Sequence, residues 1–192
     1  MVATASLRER GFRNVVSWIR GVDLTAFHPG AGDPWPELPR PVFLYVRRVA
    51  VAKNIGAFLD LDLPGSKVVV GGGPQLADIS KRYTAAHFTG PKFGEELARC
   101  YGAADVSVFP RTDTFGLVLL EALACGMPVA AYPVVGPIDM LADTAGHVGA
   151  VGEDLRVAAW RRWTRAARRA GRMRSGTHGK LARSSSWRIW CR

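Results

Sequence analysis

Six short runs of almost wholly apolar residues, at 42–46, 67–70, 86–89, 106–110, 129–132 and 146–151, punctuate this 192-residue chain. Each precedes a loop containing Gly or Pro and then a helix-like stretch, the alternation that a parallel sheet requires. Strands exposed to water on one face alternate polar and apolar residues, whereas these do not, so both faces of the sheet are expected to be covered. Crossover helices are expected at 75–83, 95–102, 115–125 and 138–142, with a shorter one at 55–59. The predicted fold class is α/β, a doubly wound, Rossmann-like parallel sheet. In such sheets ligands sit beyond the carboxyl ends of the strands, so function is sought in the loops that follow them.

Charge divides the chain differently. The net charge is +10, which ordinarily raises the prospect of a nucleic-acid or anionic-membrane partner. Up to Asp154, however, 14 basic residues face 16 acidic ones, and the remaining 12 basic residues follow it with no acid among them. The basicity therefore belongs to the end of the chain, and a folded body near neutrality argues against nucleic acid as the partner of that body. Three cysteines, Cys100, Cys125 and Cys191, show neither metal-ligand spacing nor enough pairs for a disulfide framework, which points to a reducing compartment. No apolar run reaches the ~20 residues of a membrane span, so a cytoplasmic protein is expected.

Three segments follow from these patterns. Residues 1–40 are expected to hold the remnant of a preceding domain and a linker, the Pro-rich stretch 30–39 around Trp35 being a stiff connector. Residues 41–154 form the α/β domain. Residues 155–192, rich in Arg and Trp, are expected to lie outside the fold. For that tail three accounts stand open: a basic amphipathic helix carrying Trp160, Trp163, Ala167 and Ala170 for anionic lipid at the inner face of a membrane; a nucleic-acid-binding arm; or an out-of-frame reading of a GC-rich gene.

The chemistry concentrates in Thr112-Asp-Thr-Phe-Gly-Leu-Val-Leu-Leu-Glu-Ala-Leu-Ala-Cys-Gly-Met-Pro-Val. Asp113 precedes the helix and Glu121 lies eight positions on, so a helix beginning that early would turn both carboxylates the same way. Taken alone, Asp113 is an N-cap, in competition with Thr114, and Glu121 a solvated helix residue. Against that, Glu121 sits among Leu119, Leu120, Ala122 and Leu123, and a carboxylate in apolar surroundings calls for a hydrogen-bonding partner.

This stretch resembles the signature of retaining GT-B glycosyltransferases of group 1, family 4 type, and most of all the bacterial lipid-directed mannosyltransferases that use nucleotide sugars. The resemblance implies that the chain carries the C-terminal, donor-binding half of a GT-B fold. It also implies that Glu121 holds the donor ribose and Asp113 contacts the transferred sugar. Thr114 would belong to the same donor site, with the backbone amides of Phe115, Gly116 and Leu117 meeting the phosphate, as a helix N-terminus is suited to do.

A second match is Phe43-Leu-Tyr-Val-Arg-Arg-Val-Ala-Val-Ala-Lys-Asn54. In the family the corresponding Arg and Lys, here Arg48 and Lys53, clamp the donor diphosphate and stabilise it as it leaves. By themselves, two basic residues after a strand read as solvated surface charge. The chain departs from the pattern with Arg47 where Gly is usual and Ala52 where Glu is usual. Gly72, in the turn Gly71-Gly-Gly-Pro74, and Lys92, in Thr89-Gly-Pro-Lys92, stand where the family has its glycine-rich turn and its base-cupping loop.

The implied reaction transfers a hexose from a GDP- or UDP-linked donor to a lipid or glycan acceptor with retention, without a metal or other cofactor and with peripheral contact at a membrane left open. The acceptor half of the fold is not represented, so the chain by itself is expected to be inactive. A catalytically silent nucleotide-binding fragment and a nucleic-acid binder driven by the tail are the alternatives.

Overall fold

The computed structural model describes residues 2–16, 21–30, 32–110, 116–141 and 149–174. Its centre is a six-stranded, all-parallel sheet in the order β3-β2-β1-β4-β5-β6. The strands are β1 Val42–Val46, β2 Ser66–Val70, β3 His87–Gly90, β4 Val106–Phe109, β5 Val129–Ala131 and β6 Gly149–Val151. Helix α1 (Val2–Glu9) precedes them. Between and after them run α2 (Ile55–Leu59), α3 (Leu76–Arg82), α4 (Gly94–Ala103), α5 (Leu117–Ala124), α6 (Val135–Leu141) and α7 (Leu155–Arg174), with a 3-10 turn at Val51–Lys53.

Because successive strand residues point to opposite faces, each strand feeds two cores. Val42 and Leu44 of β1, with Val68 and Val70 of β2, pack on one face against Ala98 and Tyr101 of α4 and Leu119 and Ala122 of α5. Phe43 and Tyr45, with Val69, Val106 and Val108, pack on the other against Ile55 and Phe58 of α2 and Leu155 and Ala158 of α7. This double covering is the physical reason that the strands read as unbroken apolar runs.

Register carries the same logic to the ligand end. Tyr45 pairs with Val69 and Val46 with Val70, and the ladder continues beyond both strands: the Arg47 amide donates to the Val70 carbonyl (3.0 Å) and the Val49 amide to the Gly72 carbonyl (2.9 Å). A Cβ on Gly71 would lie 1.9 Å from the Arg47 carbonyl oxygen, and one on Gly73 2.2 Å from that of Val49. The glycines let two backbones touch where side chains would hold them apart. The order in which strands are added reverses between β1 and β4, parallel neighbours at Phe43–Val106 and Leu44–Ser107; the topological switch point lies there.

Element edges shift by a few residues from expectation. Helix α5 begins at Leu117, behind Gly116 as an extended N-cap. It ends in a full Schellman closure: the Gly126 amide donates to Leu123 and that of Met127 to Ala122, with Gly126 at φ +72°. Helix α6 starts at Val135 rather than 138, and Pro137 is accommodated because the first turn of a helix needs no intrahelical donors.

Packing moves both expected domain edges. Phe27 and Trp35 are buried in the first core, and Arg40 bridges Asp33 to Asp105, whose Oδ2 also accepts the Val42 amide at 2.7 Å. The connector is therefore part of the domain's wall. At the other edge, the Val157 amide donates to Asp154 Oδ1 at 2.9 Å, an N-cap for α7. Leu155, Ala158, Ala159 and Arg162 are buried, and the helix lies along β4, β5 and β6. The fold thus extends past Asp154 into residues assigned from composition to a tail. Trp160 is exposed and packs on Trp163, ring centres 4.7 Å apart; residues 175–192 lie outside the described residues.

Candidate functional site

The carboxyl ends of β1, β2 and β3 open into a cleft of about 440 Å³ lined by Val46, Arg47, Arg48, Val70, the three glycines 71–73, Pro91, Lys92 and Phe93. It has three cationic side chains and no carboxylate among its walls, above a floor of glycine backbone. Such a surface attracts anions, and the absence of Cβ atoms leaves peptide groups open to a ligand's approach.

Arg48, Gly72 and Lys92, expected as site residues from sequence, meet in this cleft. Arg48 is exposed, and Lys92 Nζ lies 3.6 Å from Glu96 Oε1 one turn into α4. Lys53 stands apart, on the 3-10 turn: its carbonyl accepts the Tyr45 hydroxyl at 3.3 Å, and its side chain is not among the cleft's walls. The next residue, Asn54, adopts φ +52° and donates from Nδ2 to the Pro110 carbonyl at 2.9 Å. That bond ties the loop after β1 to the end of β4, across the switch point.

Glu121 sits on α5, half-buried, and accepts a hydrogen bond from the Tyr101 hydroxyl at 3.1 Å. Burial pushes its carboxyl above the ordinary range, and the Tyr101 bond pulls partly back. The partner demanded by its apolar neighbours is thus a tyrosine twenty residues earlier, on α4, which sequence spacing had no means of finding. Gly116 caps α5 and Leu117 opens it. Asp113, Thr114 and Phe115 lie outside the described residues.

Arg47, which sequence marked only as a departure from the glycine of the family pattern, is the residue placed most centrally. It is half-buried, and burial lowers its pKa. It reaches the other side of the switch point, where a Cβ on Gly116 would lie 2.3 Å from its Nη2. Cys100 and Cys125 are buried and pushed up to about 11 and about 12, in both cases first by burial, so they stay thiols near neutral pH.

An all-parallel sheet in this order, with an anion-attracting crevice beyond the carboxyl ends of its strands, defines a Rossmann-like α/β domain. Residues 40–160 match the family model of the glycosyl transferases group 1, and the chain belongs to that family. A stretch of 144 residues is 35% identical to the GDP-mannose-dependent alpha-mannosyltransferase of Mycobacterium tuberculosis (strain CDC 1551 / Oshkosh), covering 71% of this chain and 38% of that protein. Sulfoquinovosyl transferase SQD2 of Arabidopsis thaliana is 33% identical over 150 residues, 69% of this chain and 29% of that protein. Among solved structures, TarM of S. aureus superposes with a TM-score of 0.64 over 86% of this chain and 35% of that one; at 15% identity the likeness is one of fold. The fold is that of one Rossmann-like half of a GT-B glycosyltransferase. The chain spans less than half the length of the curated relatives it matches.

Proposed function

We propose that this chain is the donor-binding half of a retaining hexosyltransferase, taking a sugar from a GDP- or UDP-linked donor for transfer to a lipid or glycan acceptor. The observation that carries this reading is the cleft at the ends of β1, β2 and β3, where Arg48 and Lys92 stand over the glycine backbone. A diphosphate is the ligand whose charge and size suit that surface. Arg48 reaches it from the loop after β1 and Lys92 from the loop after β3, with Lys53 on the adjoining turn, and the counter-charge comes from side chains rather than a metal ion. Charge fixed in a partly desolvated crevice stabilises a leaving nucleoside diphosphate more than the same charge in water.

Glu121, held by Tyr101 on the far side of the switch point, accepts hydrogen bonds from the ribose diol, for which an ionised carboxylate with two oxygens is fitted. By the family resemblance, the amides of Phe115, Gly116 and Leu117 are assigned to the phosphate, and Asp113, with Thr114, to the transferred sugar. GDP is the preferred nucleotide, since a GDP-mannose-dependent enzyme stands among the relatives. Donor binding rather than turnover is assigned to this chain, whose matched stretch covers 38% of the mannosyltransferase.

Calorimetric titration with GDP and UDP tests the reading. Binding is expected to weaken roughly tenfold in R48A and in K92A, tenfold corresponding to about 1.4 kcal/mol. Binding of neither nucleotide, beside tight and salt-sensitive binding of DNA, would sink it in favour of a nucleic-acid partner.

A further inference from the structure

Arg47 does more than line the cleft. Its main chain is locked into the ladder with β2, through the amide bond to Val70 and the contact of its carbonyl with Gly71. Its side chain leaves in the opposite sense, toward the helix that follows β4, and ends against Gly116, where a Cβ would meet Nη2 at 2.3 Å. Every cleft wall comes from β1, β2, β3 or the loops after them. Gly116 is the N-cap of α5, and Glu121 lies on that helix. The cleft is therefore a cationic, glycine-floored compartment, and the side chain of Arg47 stands between it and the N-cap of the helix that carries Glu121.

We propose that Arg47 sets which anions this chain accepts: a ligand confined to the cationic compartment is paired by the guanidinium, while a ligand long enough to reach Glu121 as well must first displace it. The identity of the longer ligand rests on the nucleotide-sugar reading above. A nucleoside diphosphate extending from the glycines to Glu121 meets the side chain as an obstacle, and moving a planar guanidinium off a packed contact with Gly116 subtracts from its affinity. Inorganic pyrophosphate has no such reach, and for it the same side chain is simply a cation in a half-buried site.

The two probes separate the possibilities when titrated calorimetrically into the full chain and its variants. In R47G, GDP is expected to bind at least tenfold tighter than in the parent, and pyrophosphate about fivefold weaker. R47K retains the charge but shortens the barrier and loses the flat fork, so GDP tightens there while pyrophosphate affinity stays within twofold; this variant keeps the test open if R47G folds poorly. GDP affinity unchanged or reduced in both variants overturns the partition and leaves the nucleotide reading standing, with Arg47 as an ordinary phosphate ligand. Absence of GDP and UDP binding in the parent and in both variants removes the nucleotide reading itself, and the partition with it.

Discussion

The hydroxyl of Tyr101 lies 3.1 Å from Glu121 Oε2 and 3.2 Å from the Val118 carbonyl oxygen, so one buried proton serves two acceptors on the same turn of α5. The carboxylate is the stronger acceptor, which makes this contact a charge-assisted bond. Replacing Tyr101 by Phe keeps the ring that packs edge-on against Phe27 and removes the hydroxyl. A loss of about 1 kcal/mol in urea unfolding is expected, together with a further rise in the Glu121 pKa seen by carboxyl-carbon NMR titration. An unmoved Glu121 titration would mean that the hydroxyl serves Val118 alone.

Glu121 also sets a pH dependence. Its folded pKa is raised from the ordinary 4.5 by burial, so between the two values the native state holds more protons than the unfolded chain. Its favourable contribution is complete below the unfolded value and is lost as pH rises through the folded one. E121Q has no such titration. The stability of E121Q relative to the parent is therefore expected to climb from pH 4.5 upward and level off once Glu121 is ionised in the fold. Urea melts across that range check it, and a gap independent of pH would contradict the raised pKa.

Asn54 combines a left-handed backbone with the bond to Pro110. Glycine at this position keeps the backbone at ease and loses the bond; alanine loses both. The expected stability order is parent, N54G, N54A, with steps of about 1 kcal/mol each in urea unfolding. Equal stability of N54G and N54A would show that the conformation at φ +52° carries no weight.

Whether α7 belongs to the domain is answered by two substitutions on one helix. Leu155 is 2% exposed within the second core, and L155A is expected to cost about 2–4 kcal/mol. Trp160 is 42% exposed, and W160A is expected to change stability by no more than about 0.5 kcal/mol. Indifference to L155A in urea midpoints would return the end of the fold to Asp154.

Much of the fold was legible because burial on both faces writes itself into the strands as apolar runs. Val42 to Val46 and Val106 to Phe109 could be read without knowing their neighbours, and Gly126 announced the end of α5 because its Schellman closure is a local geometry. The helix after Asp154 was misread for a physical reason. Its hidden face is built from Leu155, Ala158, Ala159 and Arg162, and small residues with a buried arginine give little apolar periodicity, so composition outweighed pattern. Trp35 was misread likewise: its prolines described a connector, and nothing local showed that the connector is laid against the core.

The sequence by itself determined the class of sheet, the order of its elements and the family, along with Arg48, Gly72, Lys92 and Glu121 as residues of interest, since each of these rests on residues close together along the chain. Only the tertiary structure decided that Tyr101 answers Glu121, that Asn54 ties the two halves of the sheet together, and that Arg47 reaches Gly116. Those partners come from separate crossovers, 20 to 69 residues apart along the chain, and nothing in a chain records such distances until parallel strands with opposite winding bring their carboxyl ends to one crevice.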